Sequence, residues 1–565
     1  MPKKTRVPKR SAIVGTDKAT EIHKKVFSFN QPVSFCKAVI ILLLAAAYSP
    51  ISRLVLSPVY GSIPSSIYHR PVLIAAIISG FILNHFKGDT GQNDATILPL
   101  LAFWIPTIQY ILIKQSSWLG NPTGPLVTEI VTYYPLALLS VSASATFLQA
   151  LNLKRYGVTI SKHVPAVGIA FAHNFAEKLT SFVLSKYIGS SVFLNCSALQ
   201  LLIAVVYAVI LPSKLLLLAI PSLLFSVSSN VHMPWGHTTA VLNSTLQGHG
   251  YALQDRETSL TGYISVLDSQ EGFRAMRCDH SLLGGEWTKT PVNYKPKVQD
   301  PIYAIFVMLE AVRLIQPENG GPRRADEDSK ALVIGLGIGT TPAALINHGI
   351  DTTIVEIDPV VYKFARKHFH FPTNHTAVID DAVAFVERSR LKSIPDTYDY
   401  IVHDVFTGGV EPLELFTLEF MEGLRSLLKD DGAIAINYAG DLSLPSAGLV
   451  VRTIMAVFPM CRIFRELPES SSTTDFINMV IFCKMVGTTP LRFRRPHTAD
   501  FLGSKMRESR LLPKHEMDPS LFEISGKQIL KAEDIGILRA YHSQNAIGHW
   551  KLMRTVLPAS VWENW

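Results

Sequence analysis

The sequence predicts two parts of different class: an N-terminal multi-span α-helical membrane domain, and a C-terminal α/β Rossmann-like domain preceded by a small β-hairpin domain. Three observations predict this. Charged residues make up only 17% of the 565, and the shortfall falls in residues 38–253. A basic segment, residues 1–28, precedes that apolar stretch. After residue 330, short apolar strands alternate with helices, and the strands end in glycine or a carboxylate. A chain of this length exceeds one compact core, so several domains are expected: a basic tail (1–30), a helical membrane domain (31–235), a small β domain (255–300), a Rossmann-like domain (301–485) and a C-terminal extension (486–565).

The tail carries Lys3, Lys4, Arg6, Lys9, Arg10, Lys18, Lys24 and Lys25 against Asp17 and Glu21, a net +6. Beside an apolar run, such a tail marks the cytoplasmic face of a membrane rather than a nucleic-acid arm, so no nucleic-acid partner is expected. A helix needs about 20 apolar residues to span a bilayer. Six segments offer this: Ala38–Leu56, Pro71–Phe86, Ala95–Ile113, Ile130–Leu153, Tyr187–Ser213 and Leu215–Val231. A seventh, Val164–Leu184, holds His173, Glu177 and Lys178. It is read as a helix lying on the membrane surface with those residues outward. Lys154, Arg155 and Lys162 follow the fourth span, which returns the chain to the tail's side. Six spans then place both termini and the C-terminal domain in the cytoplasm, in an integral protein of the endomembrane system or plasma membrane. Seven spans would instead expose the sequons Asn243-Ser-Thr and Asn374-His-Thr to glycosylation.

Asp255–Cys278 alternates and turns like a hairpin. Asp300–Leu314 has helical period. Lys330–Ile334 is then a strand, Gly335-Leu-Gly-Ile-Gly339 a turn, and Thr341–His348 a helix. Thr352–Val355 runs into Glu356-Ile-Asp358-Pro, and a helix follows over Val360–His368. Thr376–Ile379 ends in Asp380-Asp381 and Tyr400–Val402 in His403-Asp404. A helix over Leu413–Leu428 leads to a strand over Ala433–Asn437. Such sheets bind ligands at the carboxyl ends of their strands. Gly335, Gly337 and Gly339 let backbone approach a ligand, and Glu356, 21 residues past Gly335, can accept ribose hydroxyl protons. Asp358, Asp380 and Asp381 lie within reach of the same nucleoside, and Asp404 lies beside the reacting centre. Thr340 and Thr341 follow Gly339, so the third glycine of a dinucleotide motif is missing, against NAD.

Other residues read blandly. Cys36, Cys196, Cys278, Cys461 and Cys483 are far apart, with no C-x-x-C, and read as five separate thiols. His232, His237 and His249 lack metal-ligand spacing, and no metal site is expected. His280 and Glu286 flank a glycine turn and are read chiefly as structural. His403 is either a proton carrier or a strand-end residue, and Trp287 reads as core.

The block Val333-Ile-Gly-Leu-Gly-Ile-Gly, Val355-Glu-Ile-Asp-Pro, Ile379-Asp-Asp-Ala and Tyr398-Asp-Tyr-Ile-Val-His-Asp is similar to the spermidine/spermine synthase family, a polyamine-synthase branch of the S-adenosylmethionine-dependent methyltransferase superfamily. The segment Thr261–Glu286 sits where that family has its small β domain, and Asp475–Cys483 resembles its last strand. The resemblance implies a methyltransferase-type fold and a donor, S-adenosylmethionine or its decarboxylated form. It implies that Glu356 holds the ribose, Asp381 the adenine amino group, and that Asp404 is the catalytic or orienting acid. Ile338 and Thr407 stand where the family normally has aspartates that bind amines. The expected activity is therefore alkylation of an amine-bearing acceptor, a small molecule or a protein. Methyl transfer is slightly favoured over aminopropyl transfer, and a non-catalytic membrane scaffold is the alternative. A homodimer stays open.

Overall fold

The computed structural model describes the chain except residues 1–16, 88–91, 150, 152–157, 192, 319–323, 392–396, 407–408, 469–475, 486–488 and 523–527. The first half of the basic tail, Lys154, Arg155 and Thr407 thus lie outside the described residues.

The N-terminal half is a helical bundle. Its members are α1 (Asp17–Tyr60), α2 (His69–Lys87), α3 (Gln92–Ile113), α4 (Thr123–Val131) continued by α5 (Tyr133–Gln149), α6 (Val158–Tyr187), α7 (Cys196–Ile210), and a 3-10 leg (Lys214–Ala219) continued by α8 (Ile220–Ser228). Residues 17–30, assigned to a separate tail from sequence, continue α1. Among the described residues, four helices are long and apolar enough to cross a membrane: those within Gln31–Tyr60, Pro64–Phe86, Asp94–Ile113 and Thr123–Gln149.

Helix α6 corrects the reading of Val164–Leu184 as a surface helix. It packs lengthwise on α1. Val167, Phe171, Phe175, Leu179 and Phe182 form an outward apolar stripe at helical spacing, while His173 is buried. Glu177 faces inward, where its Oε1 accepts a 2.7 Å hydrogen bond from Ser49 and lies 3.5 Å from Arg53. The polar chain continues through His69, whose Nε2 is 2.7 Å from Ser49 Oγ and whose Nδ1 is 2.8 Å from Glu129. A surface helix would show water its polar side. This one hides it.

After α9 (Gly236–Gln247) comes a four-stranded antiparallel meander: β1 (Tyr251–Ser259), β2 (Gly262–Ser269), β3 (Phe273–Cys278) and β4 (Ser281–Trp287). The Gly284-Gly285 pair, which reads as a turn, lies inside β4. A Cβ on Gly284 would sit 3.0 Å from the Ile338 side chain, and one on Gly285 2.7 Å from Arg274 O. The glycines let β4 press on its neighbours, so the expected hairpin grows to four strands. Trp287 is 37% exposed rather than core.

The third part is an eight-stranded sheet. Its strands are β5 (Lys330–Ile334), β6 (Asp351–Glu356), β7 (Thr376–Ile379), β8 (Tyr398–His403), β9 (Leu428–Asp441), β10 (Met460–Arg465), β11 (Phe476–Lys484) and β12 (His515–Met517). They lie in the order β12-β10-β11-β9-β8-β5-β6-β7. The five central and far strands, β9-β8-β5-β6-β7, pair in parallel, while β11 and β10 add antiparallel. Helices cover both faces: α10 (Thr340–Asn347) and α11 (Pro359–His368) join one apolar cluster, α12 (Ala382–Leu391), α13 (Leu418–Leu427) and α14 (Pro445–Val457) the other. Strand order reverses at β5, whose neighbours are β6 and β8, and that switch point places the ligand crevice. Cys461 and Cys483 face each other across β10 and β11 in a disulfide, which corrects the reading of five separate thiols.

The C-terminal extension ends in α15 (Ile535–Val556) and a short tail wedged between the meander and the bundle. Arg277, in β3 and fully buried, holds this junction. Its guanidinium donates to the carbonyl oxygens of Asp279 (2.7 Å), Val561 (2.9 Å), Trp562 (3.1 Å) and Pro58 at the end of α1. Trp565 stacks on His232 at 4.1 Å, and Trp550 Nε1 donates to Val59 O at 2.9 Å. Removing the guanidinium leaves several buried carbonyls without donors, each costing about 1–3 kcal/mol. Arg277→Met is expected to lower the stability of the purified full chain by at least about 3 kcal/mol in sum, read as a clear drop in its thermal midpoint. A conservative change at an exposed arginine such as Arg390 is the control.

Candidate active site

One large cavity, about 1330 Å³, opens along the carboxyl ends of the strands. Pockets for a single drug-sized ligand run to about 1,000 Å³, so there is room for two reactants.

The donor half lies over β5, β6 and β7. Gly335 and Gly337 line it. Both have left-handed φ (88° and 56°). A Cβ on Gly335 would lie 2.1 Å from Asp404 O, and one on Gly337 2.5 Å from Leu283 O of β4. The loop is therefore held between two strands with its backbone towards the cavity, which only glycine permits. Glu356, at the end of β6, is buried. Its Oε2 accepts from Leu336 N and its Oε1 from Asp358 N, both at 2.9 Å. Burial nonetheless pushes its carboxyl up to about 7. The fixed carboxylate keeps free lone pairs for the two hydroxyls of a ribose. Asp380 and Asp381 also line the cavity. Asp380 pairs with Arg388, and Asp381 accepts from Ala384 N at 3.0 Å, opening α12.

Two expected cofactor residues stand elsewhere. Gly339 has φ 89° and caps α10, and a Cβ there would strike the Phe371 ring at 2.4 Å. Its role is a tight strand–helix turn. Asp358 is fully buried outside the cavity lining. Its carboxylate accepts from Val360 N (2.8 Å), Ser259 Oγ (2.7 Å), Thr261 N (3.0 Å) and Thr261 Oγ (2.6 Å). It caps α11 and ties the meander to the sheet.

The second half lies over β8, β9, β11 and β10. Asp404, just past β8, stands where the halves meet. Asn437 of β9 donates from Nδ2 to its Oδ1 at 2.8 Å. Burial pushes Asp404 up to about 6. Asn437 Oδ1 and the Tyr303 hydroxyl are buried cavity groups without a hydrogen-bond partner among the described residues. Such orphans in a native cavity call for a ligand. Glu466 and Asn478, and His549, Leu552, Met553 and Val556 of α15, complete the lining.

These residues escaped the sequence reading. Asn437 had a usable signal, as the polar end of an apolar strand. The α15 residues had none, because only the tertiary fold brings them in. His403 lies behind the sheet between Phe416 and Phe420, with its pKa lowered to about 4 by burial, and does not line the cavity. His280 is likewise structural, stacked on Trp562 at 4.2 Å. Glu286 faces Arg274 outside the lining, and burial raises it to about 7.

Residues 321–446 match the family described as "Spermine/spermidine synthase domain". An N-terminal histidine N-methyltransferase of Emericella nidulans is 53% identical over 538 residues, covering 93% of this chain and 96% of that protein. A polyamine aminopropyltransferase of Vibrio vulnificus is 37% identical over 185 residues, covering 32% of this chain and 57% of that one. Among solved structures, a probable spermidine synthase from Corynebacterium glutamicum aligns at 17% identity and a TM-score of 0.37, over 50% of this chain and 95% of its own.

Replacing Glu356 by Ala removes the ribose anchor without touching Asp404. Donor affinity of the full chain, measured calorimetrically, is expected to fall by about 1–3 kcal/mol, or roughly 5- to 150-fold in Kd. Asp358→Ala should instead lower stability.

Proposed function

Because this chain belongs to the family of the Emericella nidulans N-terminal histidine N-methyltransferase, and is a transferase that uses S-adenosylmethionine or its decarboxylated form, we propose that it methylates the N-terminal histidine of a protein. The relative's near full-length match carries the acceptor. The Asp404–Asn437 pair beside the donor half carries the chemistry.

Gly335, Gly337, Glu356 and Asp381 fit an adenosine: a backbone cradle, a ribose acceptor and an acid near the base edge. When bound, S-adenosylmethionine supplies a sulfonium methyl, which passes to the acceptor nitrogen as the neutral thioether leaves. The chain's part is positioning and proton transfer. Asp404 accepts the N–H of the acceptor imidazole and fixes its tautomer, so the other ring nitrogen presents its lone pair. Asn437 holds the carboxylate in place. As the ring gains the methyl, Asp404 takes the proton and later yields it to solvent. Ile338, at the first aminopropyltransferase aspartate position, is buried and apolar, and packs on β4. It offers no anion for the primary amine of a decarboxylated donor, which supports methyl over aminopropyl transfer.

Asp404 acts as a base when ionised, that is, above its raised pKa of about 6. The acceptor imidazole must also be neutral, above about 6.5. Below pH 6, log kcat/KM for a His-first peptide should therefore rise with a slope near 2. In Asp404→Asn it should rise with a slope near 1, and rates should fall about 10²–10⁴-fold. Full wild-type rates in Asp404→Asn would remove its role. Preference for the decarboxylated donor with a diamine would overturn methyl transfer.

The same reading bears on the membrane. The packing supports an alternative to the six-span, cytoplasmic arrangement. The transferase side abuts the C-terminal ends of α1 (Pro58, Val59), α3 (through Lys114) and α6 (through Gly189). Successive legs alternate, so a seven-crossing reading, which adds α6 and the shorter legs α7 and Lys214–Ser228 to the four long apolar helices, would put the transferase domain opposite the start of α1. The disulfide Cys461–Cys483 supports an oxidising compartment. So does the acceptor, since translation starts at methionine and an N-terminal histidine arises by cleavage, as when a signal peptide is removed. Asn374 is exposed at the start of β7, the sheet edge opposite the cavity, where a glycan would not crowd the site. In sealed microsomes the transferase domain should resist external protease and shift with N-glycosidase, and Asn374→Gln should reduce that shift. Digestion of the domain without detergent would restore the cytoplasmic placement.

A further inference from the structure

The cavity holds a second carboxylate that the methyl-transfer chemistry does not use. Glu466 follows β10, on the same edge of the sheet as Asp404. The strand order runs β8-β9-β11-β10, so Glu466 stands three strands from Asp404, about 14 Å at the usual strand spacing. The register places it further out. Asp404 is level with Asn437, while Glu466 N bonds to Asn478 O opposite Ala439, two residues on. Two carboxylate side chains with one amino acid hydrogen-bonded between them fill such a gap.

The local setting suits a cation. Glu466 is half-buried, and its Oε1 accepts a 3.1 Å hydrogen bond from Ile305 N, which fixes the side chain. The orphan Tyr303 hydroxyl lies close enough for its ionisation to feel the Glu466 charge. Arg465 and Arg510 also line the cavity; burial raises the Glu466 pKa, and the Arg510 charge offsets only part of that rise. A carboxylate held in a cavity gains most from a partner that brings charge and N–H donors together.

We propose that Glu466, assisted by Tyr303, is an ammonium subsite that binds the free α-amino group of the acceptor's first residue. This rests on the histidine reading above and deepens it. With Asp404 on the ring and Glu466 on the amine, the site selects a histidine at a free chain terminus and rejects one inside a chain.

The test uses the full chain in detergent or nanodiscs, with a His-first peptide, its N-acetylated form, and wild type beside Glu466→Gln and Glu466→Asp. For wild type, acetylation should reduce kcat/KM roughly 10-fold or more, the worth of one charge-assisted hydrogen bond. Glu466→Gln should raise KM for the free peptide by a similar factor, with kcat, donor affinity and the acetylated peptide little changed. Glu466→Asp should recover part of the loss. Equal use of both peptides by wild type, or parallel losses on both in Glu466→Gln, overturns the proposal. Peptide affinity with S-adenosylhomocysteine bound is read alongside turnover. If neither peptide is methylated, the histidine reading has failed, and the ammonium subsite then stands or falls on whether binding needs the free amine and Glu466.

Discussion

The junction around Arg277 holds the molecule's three parts together. A guanidinium has five N–H donors in a fixed plane and no way to shed its charge at neutral pH. Buried, it must find acceptors in several directions, and here they come from β3's own turn, the end of α1 and the C-terminal tail. Burial lowers its pKa only to about 10, so it stays charged. Tyr263 and Trp562 cover it, with ring centroids 5.4 and 4.9 Å away, so the charge rests on carbonyl dipoles and aromatic faces. The partners come from three parts of the chain, so none of the three can drift without stranding the charge.

From that junction the catalytic geometry follows in steps. The tail holds α15, and α15 holds one side of the cavity with His549, Leu552, Met553 and Val556. The meander, fixed by Arg277 from one side, is fixed from the other by Asp358, which caps α11 while binding Ser259 and Thr261. β4 then lies against the glycine loop, and that loop lies against Asp404. The donor cradle is thus supported by backbone on both sides, and its precision derives from strands rather than free loops.

The sheet was legible in the sequence because its strands are short apolar runs punctuated by glycine and acid. Lys330–Ile334 and Thr376–Ile379 appear as read, and Gly335, Gly337, Glu356, Asp380, Asp381 and Asp404 converge on one cavity. Gly339 and Asp358 share those motifs, yet serve the turns that aim the loop. A motif does not separate the residues that face a ligand from those that shape the backbone. The failures have one physical origin, namely partners far away in sequence. Glu177 and His173 looked like a polar face until Ser49 and Arg53 supplied a polar interior. Cys461 and Cys483 looked solitary until strand register put them opposite each other. Gly284 and Gly285 signalled a turn, because nothing local says that Ile338 and Arg274 need their space. The C-terminal extension carries no motif, yet it builds a wall of the active site.

That wall has two faces. α15 turns Trp550 and Arg554 to the bundle, where Arg554 donates to Ser116 Oγ at 2.7 Å, and Leu552, Met553 and Val556 to the cavity. A helix shared in this way makes the two surfaces thermodynamically conjugate. Any displacement of α15 that a guest in the cavity favours is felt at the bundle end, and the reverse holds by the same factor. With the bundle in a bilayer, as proposed above, bilayer thickness and lateral pressure would thereby become variables of molecular recognition at the cavity.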